Sequence, residues 1–195
     1  MKIIGIPGWK VTEESYGVTS NYLEFASKYG KPRIIMPWED LIDVDLLILP
    51  GGRDISPALY GETPGFKTSN PDVFKEHFFT KKLPLYIESN TPIFGICLGF
   101  QQLGVYYGNK LKQHTLYHAQ SDDRWEEAHS VEIVDQDNLF HGVDIKVNSH
   151  HHQYFESASF TDELAIVAVA ENEDNNEGYI VEAFIHQEKP IAVIS

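Results

Sequence analysis

TPIFGICLGFQQLG, residues 91–104, runs from an apolar stretch through Gly-x-Cys-x-Gly into a helix-forming segment. PIFGI (92–96) reads as a strand, and LGFQQLGVYYG (98–108) as a helix closed by Gly108. A cysteine between two small residues at such a junction has the mechanics of a nucleophile elbow, in which the glycines permit a sharp strand-to-helix turn. The turn would lift the Cys97 sulfur to the helix N-terminus, where the dipole favours thiolate, the nucleophilic form. The alternative is a core cysteine packed at a strand end.

Further strands lie on both sides of this block. KIIGIP (2–7), RIIM (33–36) and DLLILP (45–50) precede it, the last uniformly apolar as a strand covered on both faces should be. Val18, Tyr22, Phe25 and Tyr29 recur at three- and four-residue spacing, which predicts a helix over 18–29 ended by Gly30 and Pro32. Beyond the block, 131–134, 145–149, 165–170, 179–185 and 191–195 read as strands with few helices between them. Strand–helix alternation followed by closely spaced strands predicts an α/β fold whose mostly parallel sheet is extended by antiparallel strands. The acidic stretches SDDRWEE (121–127) and ENEDNNEG (171–178) read as solvated loops.

Composition narrows the function. The 195 residues carry 15 Lys+Arg against 29 Asp+Glu, a net charge of −14, which disfavours nucleic acid as a partner. At 42% hydrophobic and 23% charged the chain suits one globular domain over 1–195. No apolar run approaches the ~20 residues of a membrane helix, and KIIGIPG is too short for a signal peptide. A single cysteine allows no internal disulfide and fits a reducing, cytoplasmic setting.

A thiol nucleophile needs donors for the developing oxyanion. The Leu98 N–H, directly after Cys97, is one candidate, and the Gly51-Gly52 turn of LPGGRD (49–54) supplies another at a neighbouring strand's end. For a base, the conspicuous histidines are those of VNSHHHQ (147–153). Three consecutive histidines cannot all face one site. A metal tract to which His114 and His118 add ligands is the competing reading.

At these residues the sequence resembles the class I glutamine amidotransferase superfamily, and within it the γ-glutamyl hydrolase branch that includes γ-glutamyl-γ-aminobutyrate hydrolase-like proteins. LPGGRDISPALYG (49–61), TPIFGICLGFQQLG, VNSHHHQ and VEAFIH (181–186) carry the match, in order. The resemblance implies a flavodoxin-like three-layer sandwich and a Cys-His-Glu triad that hydrolyses a γ-glutamyl amide through a γ-glutamyl thioester, without metal or organic cofactor. It implies Cys97 as nucleophile, Gly52 and Leu98 as oxyanion donors, and Gln101, Asn148, Ser149 and His151 as contacts to a small γ-glutamyl substrate. Leu98 is typical of amidotransferases, where many hydrolases of the branch carry Arg, so a glutaminase subunit delivering ammonia to a synthase partner is an alternative. The family's His and Glu follow the final strand in a Trp-His-Pro-Glu-like motif. Here that strand is IAVIS, ending at Ser195, which makes a silent γ-glutamyl-binding protein a further alternative.

Overall fold

The computed structural model describes residues 1–115, 118, 126–135, 142–172 and 178–195. Of the two acidic stretches, 121–125 and 173–177 lie outside the described residues.

In chain order the elements are β1 (Ile3–Pro7), β2 (Trp9–Lys10), β3 (Tyr16–Gly17), α1 (Ser20–Ser27), β4 (Lys31–Ile35), β5 (Leu46–Leu49), α2 (Val73–Lys81), α3 (Leu83–Glu88), β6 (Ile93–Ile96) and α4 (Leu98–Tyr106). They continue with β7 (His129–Ile133), β8 (Asp144–Val147), β9 (Leu164–Glu171), β10 (Tyr179–His186) and β11 (Ile191–Ile194). A nine-stranded sheet takes the order β4-β1-β5-β6-β11-β10-β9-β7-β8. The first five of these are parallel neighbours, and from β11 onward every pairing is antiparallel. The expected parallel sheet with an antiparallel extension is thus the fold observed.

Two-residue alternation in β5 explains the layering. Leu47 and Leu49 point into the main core, shared with Phe78, Leu83, Tyr86, Leu98 and Phe100 of α2, α3 and α4. Ile48 points the other way, with Ile4 and Ile6 of β1, onto Ala26 of α1. Helices therefore cover both faces. On the α1 side an apolar groove of about 550 Å³ opens beside that helix over Phe94, Ile185 and Ala192.

The antiparallel half carries its own small cluster of Val131, Ala168 and Ala170. Phe155 ties the two halves together. Its ring lies 5.4 Å from Phe100 of α4, and its carbonyl accepts the Val181 N–H at 3.0 Å. With the Lys112–Tyr154 bridge, these contacts bring the segment after β8 back over the sheet.

The α2–α3 hairpin and the β2–β3 ribbon are additions to what the sequence pattern predicts. Asp72 caps α2, accepting from the Phe74 and Lys75 N–H groups at 3.0 and 3.1 Å. Lys75 lies buried in this helix beside Phe78 and Phe79, which obscures its apolar period.

Candidate active site

The strand-to-helix turn at Cys97 is strained: φ 51° and ψ −102° place a non-glycine residue in a region that costs roughly 1–3 kcal/mol. Neighbouring glycines make the turn possible. A Cβ on Gly99 would stand 2.5 Å from the Leu49 carbonyl oxygen and 2.6 Å from Leu49 Cβ, and one on Gly95 would stand 2.9 Å from the Gly99 backbone. Because the Leu49 obstacle is strand backbone, it cannot give way. Gly99→Ala is expected to cost about 2 kcal/mol, read as a lower urea midpoint at unchanged slope.

Cys97 stands at the carboxyl edge of the parallel strands, its N–H donating to the Ile194 carbonyl at 2.9 Å. Gly51 approaches so closely that a Cβ there would lie 3.3 Å from Cys97 Cβ and 3.7 Å from its sulfur. The Gly51 N–H donates to the Tyr22 hydroxyl at 2.8 Å, and the Gly51 carbonyl accepts from the Lys75 ammonium. With that carbonyl held on the Lys75 side, planarity of the trans peptide turns the Gly52 N–H the opposite way, toward Cys97.

Burial pushes the Cys97 thiol above its usual range, and Asp54 adds to the rise. Hydrogen bonds from the Gly52 and Leu98 backbone N–H groups and the charge of Lys75 oppose it. Lys75 is itself lowered to about 8 by burial, against the opposing charges of Asp72 and Cys97. Its Nζ also sits 3.9 Å over the Trp9 ring of the β2–β3 ribbon. A groove of about 530 Å³ opens here, lined by Trp9, Lys10, Gly52, Arg53 and Lys75 among others.

The structure thus gathers Cys97 with the Gly52 and Leu98 amides. Gln101 follows one turn into α4, buried, with its N–H on the Cys97 carbonyl at 3.0 Å. The histidine-rich segment joins the same region through His152, whose Nε2 lies 3.1 Å from Oδ1 of Asp54. Within it Asn148 is exposed, whereas Ser149 and His151 are buried. Ser149 Oγ and both amide atoms of Gln153 have no hydrogen-bond partner among the described residues, so this recess keeps unspent hydrogen-bonding capacity.

His151 turns its ring toward Glu182 of β10, with His118 beside it, while His114 pairs with His152 at 3.3 Å. The histidines considered together in the sequence therefore divide between two places. Lys75, Tyr22, Asp54 and Glu182 are site neighbours that sequence reasoning missed. Asp54 and Glu182 lie in the blocks LPGGRD and VEAFIH, where no role is read for them, and only the long-range folding of the chain brings in Lys75 and Tyr22.

The profile of the peptidase C26 family matches residues 7–195. The glutamine amidotransferase-like protein YvdE of Lactococcus lactis subsp. lactis is 29% identical over 218 residues, covering 100% of this chain and 89% of its own. A YvdE homologue of Lactococcus lactis subsp. cremoris is 36% identical over 118 residues, covering 56% of this chain and 63% of its own. A solved glutamine amidotransferase of Thermotoga maritima shares the fold at a TM-score of 0.62 and 18% identity, over 99% of this chain and 74% of that one. With a strained cysteine elbow at the parallel sheet's edge and a family match across nearly its whole length, the chain belongs to the peptidase C26 family of class I glutamine amidotransferase-like proteins.

Proposed function

We propose that the chain hydrolyses a γ-glutamyl amide through a thioester on Cys97. The observation that carries this reading is the pair of backbone N–H groups, Gly52 and Leu98, aimed at the buried sulfur of a strained elbow. Donors converging on the sulfur also flank the carbon it attacks, where the amide oxygen gathers negative charge. Attack forms the sulfur–carbon bond, the thiol's proton passes to the amine as the carbon–nitrogen bond breaks, and water then cleaves the thioester to glutamate and the free thiol. Gln101, Asn148 and Ser149 are the proposed contacts for the glutamyl end, supported by the unsatisfied Ser149 hydroxyl, whereas His151, expected among them, turns its ring to Glu182.

Ile194 pairs with Ile96, so the end of β11 lies against the thiol, at the place where the resemblance expects the triad's His and Glu. Among the described residues no imidazole is hydrogen-bonded to the Cys97 sulfur. That observation favours a second reading, a protein that binds γ-glutamyl ligands without turning them over. Glutamate release from γ-glutamyl p-nitroanilide and from glutamine separates the two: the hydrolase reading predicts release from the anilide, at a rate above glutamine's. Binding of both without glutamate release selects the silent reading. Release confined to glutamine, and stimulated by an added synthase, selects an ammonia-delivering subunit.

A further inference from the structure

Glu182 of β10 is a carboxylate 8% exposed, and three imidazoles from separate parts of the chain surround it. His118 Nε2 lies 2.8 Å from Oε1, His129 Nε2 lies 3.5 Å from the same oxygen, and His151 Nε2 lies 3.7 Å from Oε2. The ring centroids of His129 and His151 stand 4.2 and 4.9 Å from that of His118. One ligand atom each from His118, His151 and Glu182 fit within 4.8 Å of one another.

The hydrogen bonds around this cluster decide what it suits. His151 Nδ1 lies 3.0 Å from the Gln153 carbonyl oxygen, which can only accept, so Nδ1 carries a proton. Its Nε2, buried and without a hydrogen-bond partner among the described residues, faces the carboxylate at 3.7 Å, too long for a hydrogen bond. A backbone carbonyl that fixes the far nitrogen while the near one faces a carboxylate is the outer-shell arrangement that orients metal-binding histidines. His129 adds two buried ring nitrogens with no hydrogen-bond partner among the described residues. Bonds of ~2.0–2.1 Å in a tetrahedral zinc site put neighbouring ligand atoms ~3.3 Å apart. The 2.8 and 3.7 Å separations of His118 and His151 from the carboxylate bracket that value.

The geometry points to a site for a divalent transition metal of the zinc class, formed by one ligand atom each from His118, His151 and Glu182, with the His129 ring beside it. The three ligands come from separate parts of the chain, so the ion staples them together, its fourth position left to a non-protein ligand. It joins His118 to β10 and to the segment after β8, a region whose own apolar cluster is small. The site is separate from the His114–His152–Asp54 chain and from Cys97.

The test is titration of the chelator-treated Cys97→Ala chain with Co(II) and Zn(II), followed by visible absorption, metal analysis and thermal melting. One ion per chain, the intense visible bands of four-coordinate Co(II) and a higher Tm are expected. Glu182→Gln and His151→Ala should each weaken binding at least ~100-fold. The His114→Ala/His152→Ala double variant should bind as the parent does. Far-UV circular dichroism of each metal-free variant confirms that a lost site is not a lost fold. Should a ligand variant fail to fold, the parent's stoichiometry and Co(II) spectrum still decide. Substoichiometric metal in the parent, or six-coordinate Co(II) bands, overturns the proposal. So does binding that survives Glu182→Gln or disappears in the His114/His152 double variant.

Discussion

Cys97→Ala is expected to lower γ-glutamyl amide hydrolysis by at least about a thousand-fold with no gain in stability, whereas Cys97→Gly abolishes activity and raises stability by about 1 kcal/mol. Both remove the proposed nucleophile. They differ because φ 51° strains alanine as it does cysteine, while glycine adopts it freely and loses only part of the gain to its greater freedom when unfolded. Activity assays paired with urea denaturation read both effects. If the two variants prove equally stable, the turn is not strained; if Cys97→Ala keeps its turnover, the nucleophile lies elsewhere.

Lys75→Met is expected to make the protein more stable and the enzyme worse. Lys75 is held at about 8, against an ordinary 10.5, chiefly by burial. At ~1.4 kcal/mol per unit, the charged form costs about 3 kcal/mol in the fold. The unfolded chain binds this proton more tightly, so the cost is fully present below pH 8 and disappears as pH rises toward 10.5. A methionine of similar length removes it, and Tm at pH 7 should rise by the equivalent of about 1–3 kcal/mol. That advantage over the parent should shrink by pH 10. The same change releases the Gly51 carbonyl, so the Gly52 N–H is no longer fixed toward the reacting centre. Loss of one oxyanion donor lowers turnover ~10²–10³-fold, here in kcat with KM little altered. A lysine with only a packing role would give a lower Tm and unchanged kcat. A charge kept at such cost beside the nucleophile is what a functional residue would show.

Much of this architecture is legible in the sequence because it is local. The apolar run Leu46–Leu49 and the Gly-x-Cys-x-Gly turn each carry their structural instruction within a few residues. The meeting of Cys97 with the Gly52 and Leu98 amides is legible for the same reason, since Leu98 adjoins Cys97 and two glycines announce a close backbone approach. The α2 helix was not readable: its inward face places Lys75 beside Phe78 and Phe79, so polarity no longer reports burial. Nor was the role of Lys75 or Tyr22, because each acts on Gly51 across 24 and 29 positions of chain. The Glu182 cluster is the extreme case. His118, His129 and His151 meet one carboxylate only because β7, β9 and β10 are neighbours and the segment after β8 folds back through Phe155. The consecutive histidines of VNSHHHQ drew attention to themselves, yet His151 and His152 serve different carboxylates and His150 faces solvent.

The most direct test of the account is the covalent state of Cys97 after brief exposure to an activated γ-glutamyl ester, quenched in acid and read by mass spectrometry. An ester leaving group needs no proton, so the experiment isolates the nucleophile and its two amide donors from any acid or base. The account predicts a mass increase of one glutamyl group on the peptide containing Cys97, removed by hydroxylamine and absent in Cys97→Ala. An unmodified Cys97 in a folded chain, or an adduct that persists in Cys97→Ala, would contradict it.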